Sequence, residues 1–178
     1  MTAPPAASHP VALALGGNLG DSLRLLETAL DDLDHAPGLR LQARSSWWRS
    51  RAVGPPQPDY LNGCALLDTH LSPEALLEVM QAIELRHGRI RRERWGPRTL
   101  DLDLIFYADL RLDTERLVLP HPRFRERAFV LMPLAELSPA WVDPVTGRTV
   151  AELAQAFEDQ DSVWPLEAER HRSPSPAP

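Results

Sequence analysis

Two aspartates one residue apart are the side chains of this sequence whose spacing most suggests chemistry. Asp101 and Asp103 lie in the stretch TLDLDLIFYA (99–108), which we predict to be a strand because it is short and apolar. Side chains alternate between the two faces of a strand, so both carboxylates share one face and the neighbouring leucines share the other. The pair is either the solvent-facing side of an amphipathic strand or a binding site for Mg²⁺, which prefers oxygen ligands.

The segment before this strand is rich in arginine. Six arginines fall in the 13 residues from Arg86 to Arg98, with Trp95, Gly96 and Pro97 among them. Such a run is often a solvated basic surface, but guanidinium groups also bind phosphate oxygens in pairs. An anionic ligand held by these arginines would need a cation between it and the aspartates. The two features together predict Mg²⁺-dependent phosphoryl chemistry on a nucleoside triphosphate, and they leave the acceptor open.

The composition of the 178-residue chain removes several classes of function. All 19 basic residues are arginine, so the chain lacks the lysine of a Walker-A phosphate loop and of Schiff-base chemistry. The net charge of −6 argues against a general nucleic-acid-binding protein. The single Cys64 excludes a disulfide framework within the chain. Because no signal or membrane segment is visible, we expect a cytoplasmic protein that binds neither membranes nor nucleic acid.

The hydrophobic periodicity predicts alternating strands and helices. Strands are expected at 11–16, 39–50, 60–70 and 99–108, helices from 22 to about 35 and at 71–88, and a proline-rich loop at 51–59. This order is that of the ferredoxin-like βαββαβ fold, an α+β class with an antiparallel sheet and helices on one face. Farther along we expect short strands and a turn in 110–124, a helical segment interrupted by Pro133 in 126–139, and a last helix at 149–157. These additional C-terminal helices would cover the other face and give a three-layer α-β-α structure.

The two ends of the sequence differ in composition from its middle. The stretches MTAPPAASHP and RHRSPSPAP are rich in Pro, Ser and Ala and lack an apolar period. We therefore predict a disordered tail at 1–10 and a disordered or loosely packed tail at 159–178. Residues 11–158 are then long enough for a single domain, which we expect to be monomeric.

The stretch RWGPRTLDLDLI (94–105) resembles the signature of the 6-hydroxymethyl-7,8-dihydropterin pyrophosphokinase family, a basic residue followed by Gly-Pro-Arg and an Asp-aliphatic-Asp unit. Four other stretches resemble family motifs in the same order: LGGNLGD after the first strand, QPDYLN at 57–62, QAIELRHGR at 81–89 and LPHPRFRERAFVLMPLAEL at 119–137. The resemblance covers about residues 11–157, and the family fold is ferredoxin-like. One motif departs from the family pattern, because Ser50 and Ala52 in RSRAV (49–53) stand where the family commonly has Thr and Pro.

The resemblance implies an enzyme, a diphosphotransferase (pyrophosphokinase) of tetrahydrofolate biosynthesis. Such enzymes transfer the β,γ-diphosphate of ATP to the hydroxymethyl group of 6-hydroxymethyl-7,8-dihydropterin and release AMP. By this resemblance Asp101 and Asp103 hold two Mg²⁺ ions that bridge the triphosphate. Arg89 and Arg98 are similar to the arginines of a mobile loop that neutralise charge near the transferred group. These four are the expected catalytic residues, and ATP and the pterin are the implied substrates.

The resemblance also assigns residues to each substrate. Positions that match family contacts to ATP are Gln81, Glu84, Arg91, Arg94, Trp95, Arg98, Leu104, Leu117, His121 and Arg127. Positions that match the pterin pocket are Ser50, Arg51, Val53, Tyr60, Asn62, Trp95 and Phe129. The rings of Tyr60 and Phe129 would enclose the flat pterin, and Asn62 would read its edge. Without the family, Glu84 is equally a solvated helix residue, His121 a turn residue, and the two rings core residues.

Two other classes of protein share parts of this pattern. A nucleotidyl cyclase or a polymerase palm also places paired carboxylates on a ferredoxin-like sheet, but it would release pyrophosphate instead of AMP. An RNA-binding module on the same fold needs exposed aromatic side chains and a basic face. The negative net charge and the aspartate pair oppose the RNA-binding interpretation.

Overall fold

Eight strands and four α-helices make up the described part of the chain, residues 6–88 and 99–167 of the computed structural model. The strands are β1 (His9–Gly17), β2 (Leu39–Arg44), β3 (Trp48–Ser50), β4 (Tyr60–Thr69), β5 (Asp101–Tyr107), β6 (Leu112–Asp113), β7 (Val118–Leu119) and β8 (Val163–Pro165). The helices are α1 (Ser22–His35), α2 (Pro73–Arg86), α3 (Ala128–Leu137) and α4 (Val150–Ala154). Short 3₁₀ helices span Phe124–Glu126 and Gln155–Phe157.

The larger sheet has six strands, and its pairings are antiparallel. The strand order is β5-β1-β4-β3-β8, and β2 pairs with β4 as well. β1 lies between β4 and β5, with Ala14 and Gly16 opposite Asp103 and Asp101, respectively. The predicted mixture of helices with an antiparallel sheet is confirmed.

Each face of the sheet carries its own hydrophobic core. On one face, Leu13 of β1 joins Leu26 of α1 and Leu76 of α2 in a buried cluster. On the other face, a second cluster contains Val130 of α3 and Val150 of α4. Full burial of an aliphatic side chain of this size contributes about 2 kcal/mol relative to leaving it exposed. Helices therefore cover both faces of the sheet.

Helix α2 begins and ends where its sequence predicts. The Ser72 side chain accepts a hydrogen bond from the Ala75 amide, Pro73 occupies the first turn, and Glu74 adds a negative charge there. The helix ends at Arg86, and Gly88 has a φ of +76°, the left-handed conformation that commonly follows a helix C-terminus. This placement brings the buried Glu84, in the last turn of α2, against the sheet.

The single strand predicted at 39–50 is wrong, because residues 45–47 separate β2 from β3. Ser45 remains attached to β4, where its amide donates to the Cys64 carbonyl and its hydroxyl accepts from the Cys64 amide. The ring of Trp47 lies close to Gly63, where the absence of a side chain leaves room for it. A Cβ at Gly63 would lie 2.7 Å from two carbons of that ring.

A carboxylate of α3 stabilises the break between β2 and β3. Glu136 accepts hydrogen bonds from the Ser46 amide at 2.9 Å and from the Trp48 indole nitrogen at 2.5 Å. The donor that Ser46 would otherwise offer to a strand partner is therefore satisfied by a helix. As a result Trp47 enters the α1–α2 core, while Trp48 reaches a residue of α3.

The helical segment predicted to be interrupted at Pro133 is one continuous helix, α3. Pro133 is buried inside it and cannot donate a backbone hydrogen bond, so the interruption is limited to one missing bond. The predicted last helix, 149–157, consists of α4 followed by a 3₁₀ turn. A capping box between Thr149 and Glu152 fixes its start.

The sheet extends beyond the predicted domain limits at both ends. β1 begins at His9, within the stretch predicted to be a tail. β8 lies after residue 158, and its three residues pair with the three residues of β3. β8 follows residue 158, and its three residues are too few to signal a strand by periodicity.

Candidate active site

A cavity lies on the α3 face of the sheet, where β1 and β3 end and β4 and β5 begin. It has a volume of about 150 Å³ and is lined, among the described residues, by Gly16, Ser50, Arg51, Val53, Tyr60, Asp101, Asp103, Arg127 and Phe129. All of these except Gly16 are residues that the sequence analysis proposed for a substrate or a metal. Antiparallel pairing brings the four strand ends together, although they are far apart in sequence.

The aspartate pair occupies the floor of this cavity. Asp101 and Asp103 face the α3 side of the sheet and are half-buried. Their neighbours on β1 are Gly16 and Ala14, so the adjacent strand contributes little side-chain volume above the carboxylates. The interpretation as the solvent-facing side of an amphipathic strand does not fit, because Phe129 of α3 also lines the space into which they open.

Two cationic or polar side chains converge on Asp103. Its Oδ2 lies 3.4 Å from Nη1 of Arg127, and its Oδ1 lies 3.9 Å from Nε2 of His121. The Arg127 guanidinium also lies 5.6 Å from the centre of the Phe129 ring, a cation–π distance. Arg127 therefore connects the acidic floor of the cavity with one of its aromatic walls.

His121 is neutral at physiological pH. Its Nδ1 accepts a hydrogen bond from the Arg123 amide at 3.1 Å, which leaves the ring proton on Nε2, the atom that faces Asp103. Burial, followed by the charge of Arg127, lowers the pKa of His121 to about 4, while Asp101 acts in the opposite direction. His121 thus offers an N–H donor to the cavity without adding a full charge. Its amide donates to the Ile105 carbonyl of β5 at 3.0 Å, which attaches the segment between Pro120 and Pro122 to the sheet.

Asn62 lies on the cavity side of the sheet, beside residues that line the cavity. It is 4% exposed, it lies opposite Gly16 on β1, and its Nδ2 donates to the Ser50 hydroxyl at 2.8 Å. A Cβ at Gly16 would approach Oδ1 of Asn62 to 3.1 Å, so the glycine allows the amide to lie close beside it. Gly16 was not predicted as a site residue. The motif LGGNLGD contains it, but the sequence does not show that it lies between Asn62 of β4 and Asp101 of β5.

The aromatic wall formed by Tyr60 is connected to the loop before β4. The Tyr60 hydroxyl donates to Oε1 of Gln57 at 3.4 Å. Asn18, after β1, donates to the same Gln57 oxygen at 2.9 Å and to the Pro58 carbonyl at 2.8 Å. The loop predicted at 51–59 is therefore attached to the end of β1 as well as to β4.

Glu84 is not a solvated helix residue. It is 4% exposed, and its Oε1 accepts a hydrogen bond of 2.7 Å from the amide of Leu102, the residue between the two aspartates. Gln81, one turn earlier, is exposed. Leu104 and Leu117 are buried in the α1–α2 core, on the face of the sheet opposite the cavity. Arg89, Arg91, Arg94, Trp95 and Arg98 lie outside the described residues.

The donor set of the cavity fits Mg²⁺. Asp101 and Asp103 supply carboxylate oxygens on one face, at the floor of an accessible cavity. Residues 6–88 and 99–167 contain no cluster of three or more His, Cys, Asp or Glu that could hold a metal by itself. Mg²⁺ commonly uses one or two carboxylates and takes its remaining ligands from water and substrate phosphates, so a pair suffices.

The match between this sequence and a protein-family model decides its family. The model of the 7,8-dihydro-6-hydroxymethylpterin-pyrophosphokinase (HPPK) family matches residues 12–139. The chain belongs to the HPPK family. The resemblance seen in the sequence motifs is thus confirmed.

Two relatives support the classification of this HPPK as an enzyme. The 2-amino-4-hydroxy-6-hydroxymethyldihydropteridine pyrophosphokinase of Synechocystis is 51% identical over 162 residues, which cover 91% of this chain and 83% of the relative. The protein of the same name from Pseudomonas aeruginosa is 47% identical over 147 residues, which cover 82% of this chain and 90% of the relative. This HPPK is therefore an enzyme of the pyrophosphokinase class.

The fold of this HPPK is similar to that of a solved structure. The crystal structure of Plasmodium falciparum HPPK-DHPS A437G with pteroate matches it with a TM-score of 0.70 at 13% sequence identity. The match covers 92% of this chain and 47% of the other, so this HPPK spans about half the length of that protein. Within the described residues, no helix has the length and apolarity needed to cross a bilayer.

Proposed function

We propose that this HPPK transfers the β,γ-diphosphate of ATP to the hydroxymethyl group of 6-hydroxymethyl-7,8-dihydropterin and releases AMP, as a step of folate biosynthesis. The observation that carries the proposal is one cavity that combines aromatic walls with a carboxylate pair. Tyr60 and Phe129 suit a flat heterocycle, and Asp101 and Asp103 suit metal-bound phosphates. Transfer between two substrates requires that they lie within reach of each other, as these two groups of residues do.

The pterin would occupy the part of the cavity near β3 and β4. Tyr60 and Phe129 would contact its faces, and the buried Asn62–Ser50 pair would hydrogen-bond its edge. Arg51 and Val53 lie at the exposed mouth, where Val53 is 74% exposed. Covering such an exposed apolar side chain with a ligand removes apolar surface from water and so favours binding. The pterin-binding residues proposed among the described ones are Ser50, Arg51, Val53, Tyr60, Asn62 and Phe129.

The triphosphate would occupy the part of the cavity above β5. We assign Asp101 and Asp103 to two Mg²⁺ ions, which when bound would neutralise triphosphate charge and orient the phosphates. Arg127 and His121 already face this position, and both can donate to phosphate oxygens. Arg127 would then exchange its contact with Asp103 for one with the nucleotide.

The proposed reaction forms one phosphorus–oxygen bond and breaks another. The hydroxymethyl oxygen of the pterin forms a bond to the β-phosphorus of ATP and loses its proton. The bond between the β-phosphorus and the oxygen that bridges to the α-phosphorus breaks, and AMP leaves with that oxygen. Such transfers leave little covalent chemistry to the protein, so catalysis consists of positioning and charge stabilisation.

The arginine segment would supply positive charge to this reaction. We propose that Arg89 and Arg98 act near the transferred diphosphate, and that Arg91, Arg94 and Trp95 contact ATP. Support comes from the family signature and from the position of β5. Its first residue, Asp101, lies in the cavity and follows Arg98 by three residues in the sequence.

We also propose that the sheet corresponds to the ferredoxin-like arrangement, with β2 and β3 together taking the place of one strand. Both pair with β4, and β1 lies between β4 and β5.

We further propose a cytoplasmic location, which is supported by Cys64, a buried free thiol. Burial and the nearby charge of Glu136 raise the pKa of this thiol, so it remains protonated and unreactive.

The proposed function is tested by mixing the protein with ATP, Mg²⁺ and 6-hydroxymethyl-7,8-dihydropterin and separating the nucleotides by chromatography. AMP should appear only when the pterin is present, together with a pterin that carries two phosphates. Release of pyrophosphate would indicate nucleotidyl transfer instead, and formation of ADP would indicate transfer of a single phosphate. Either product in place of AMP contradicts the proposal.

A further inference from the structure

A buried ion pair lies outside the cavity, in the segment between β7 and α4. Asp143 is 0% exposed, and both of its carboxylate oxygens accept from Arg125, with Nε 2.6 Å from Oδ2 and Nη2 2.8 Å from Oδ1. This two-bond geometry fixes the orientation of the guanidinium as well as its distance. Neither residue lines the cavity that holds the aspartate pair.

Asp143 is itself held rigidly by the turn that follows it. Its carboxylate also accepts from the Val145 amide at 3.0 Å and from the Thr146 hydroxyl at 2.7 Å. Burial acts to raise the pKa of Asp143, but the hydrogen bonds from Arg125, Thr146 and Val145 outweigh it and lower the pKa to about 2. The carboxylate is therefore ionised and immobile at physiological pH.

The turn is anchored on the same strand that carries the catalytic aspartates. Trp141, two residues before Asp143, stacks on Phe106 of β5 with 5.3 Å between ring centres. Phe124, the neighbour of Arg125, makes an edge-to-face contact with the same Phe106 ring, with 5.0 Å between ring centres. Rigid aromatic contacts of this kind hold both partners of the ion pair at fixed distances from β5.

The segment 121–127 is held by the buried Phe124 ring and by three polar contacts. At its start the His121 amide donates to the Ile105 carbonyl of β5 at 3.0 Å. In its middle Arg125 binds Asp143, and at its end Arg127 lies 3.4 Å from Asp103. The two arginines are two residues apart, yet they point to different carboxylates. Loss of Asp143 would release Arg125 from its ion pair, and the buried Phe124 together with the contacts at either end would then locate His121 and Arg127.

We propose that Asp143 is a positioning residue for nucleotide binding: through Arg125 it sets the place of Arg127 and His121 beside Asp103. This inference rests on the proposed function for the identity of the ligand. It requires that Asp143 act through Arg127 and not merely through overall stability. A general stabilising role would lower resistance to denaturation without selecting between the two substrates.

The test compares Asp143→Asn with Val150→Ala, a matched control that removes buried volume from α4 nearby and leaves the ion pair intact. Asp143→Asn should raise KM for ATP roughly tenfold to a hundredfold, because small misplacements of a binding group have effects of that size. Its KM for the pterin should change less than about twofold, since Phe129 is held within α3 and the other pterin residues lie on β3, β4 and the loop between them. Val150→Ala should lower Tm without raising KM for ATP.

Combined variants show whether Asp143 acts through Arg127. In an Arg127→Ala background, Asp143→Asn should add little to the loss of ATP affinity, because the group that it positions is gone. Fully additive effects, or equal increases in KM for ATP in Asp143→Asn and Val150→Ala, would overturn the inference. If Asp143→Asn does not fold, Arg125→Gln breaks the same pair from its more exposed side.

Failure of the inference is distinguishable from failure of the proposed function. Wild-type protein that forms no AMP with ATP and the pterin contradicts the proposed function. Wild-type protein that forms AMP, with unchanged KM for ATP in Asp143→Asn, contradicts only the inference. Calorimetric titration of ATP with Mg²⁺ in the absence of the pterin gives the same comparison of affinities without turnover.

Discussion

The carboxylate of Glu84 accepts the backbone hydrogen bond of Leu102 on the free side of β5. β5 is an edge strand of the described sheet, so its outward amides lack a strand partner there. Glu84, from the last turn of α2, satisfies the amide that lies between Asp101 and Asp103. The helix that precedes the arginine segment therefore also fixes the backbone of the aspartate pair.

This contact predicts a specific effect of Glu84→Ala on stability. The variant leaves the Leu102 amide buried without its acceptor, which costs about 1–3 kcal/mol in the free energy of unfolding. Glu84→Gln retains an acceptor oxygen and should lose less. The control is Glu78→Ala on the same helix, whose exposed ion pair with Arg116 is worth roughly 0–1 kcal/mol. Urea denaturation measures all three, and equal losses in Glu84→Ala and Glu78→Ala would contradict the assignment.

The aspartate pair predicts loss of activity without loss of fold. Asp101→Asn and Asp103→Asn each remove a negative charge from the proposed metal ligands, so diphosphate transfer should fall by at least about a hundredfold. Circular dichroism should remain as in the wild type, because both side chains are half-buried and line a cavity. Asp109→Asn, at an exposed turn after β5, is the control and should retain turnover. Near-normal rates in either variant of the pair would exclude these carboxylates as metal ligands.

The contact between Trp47 and Gly63 predicts a large effect of a small substitution. Gly63→Ala would place a Cβ 2.7 Å from the Trp47 ring, which is 8% exposed and cannot move outward freely. Such overpacking costs about 1–3 kcal/mol. Combining it with Trp47→Leu, which removes the ring, should destabilise the protein by less than the sum of the two single changes. Thermal denaturation of the four proteins tests this, and simple additivity would show that the ring is not the obstacle.

The ion pair of Asp143 predicts an acid-sensitive part of the stability. Its pKa of about 2 in the folded protein lies below the ordinary 3.8, so folding favours the ionised carboxylate. The corresponding stabilisation, about 2 kcal/mol, is complete above pH 4 and is lost as the pH falls through 2. Asp143→Asn lacks this term, so the stability difference between it and the wild type should narrow between pH 4 and pH 2. A constant difference over that range, measured by urea denaturation, would contradict the assignment.

Local patterns in the sequence were sufficient for the elements that build the cavity. Alternation along β5 correctly placed Asp101 and Asp103 on one face, and the Ser72 cap marked where α2 begins. Eight residues proposed from motifs line one cavity, because the family motifs lie at the ends of several strands that meet in the fold. The role of each residue toward a substrate remains a prediction.

Features that depend on distant residues were not predictable from local pattern. The break between β2 and β3 requires Gly63 to receive a ring and Glu136 to accept from Ser46, a residue 90 positions away in sequence. The burial of Glu84 depends on the edge position of β5. Only the packed arrangement of sheet and helices specifies these contacts, since propensity and periodicity describe neighbours along the chain.

The register between β1 and β5 has a consequence for folding as well as for the site. Asp103 lies opposite Ala14, and the other face of both strands is filled with leucines that include Leu13 and Leu102. A slip by one residue would exchange the faces and drive two carboxylates into an apolar interior without partners. Burial of unpaired charge costs several kcal/mol for each group, so misaligned sheets are strongly disfavoured. The two aspartates proposed to hold magnesium thus also disfavour misaligned pairing of β1 with β5 during folding.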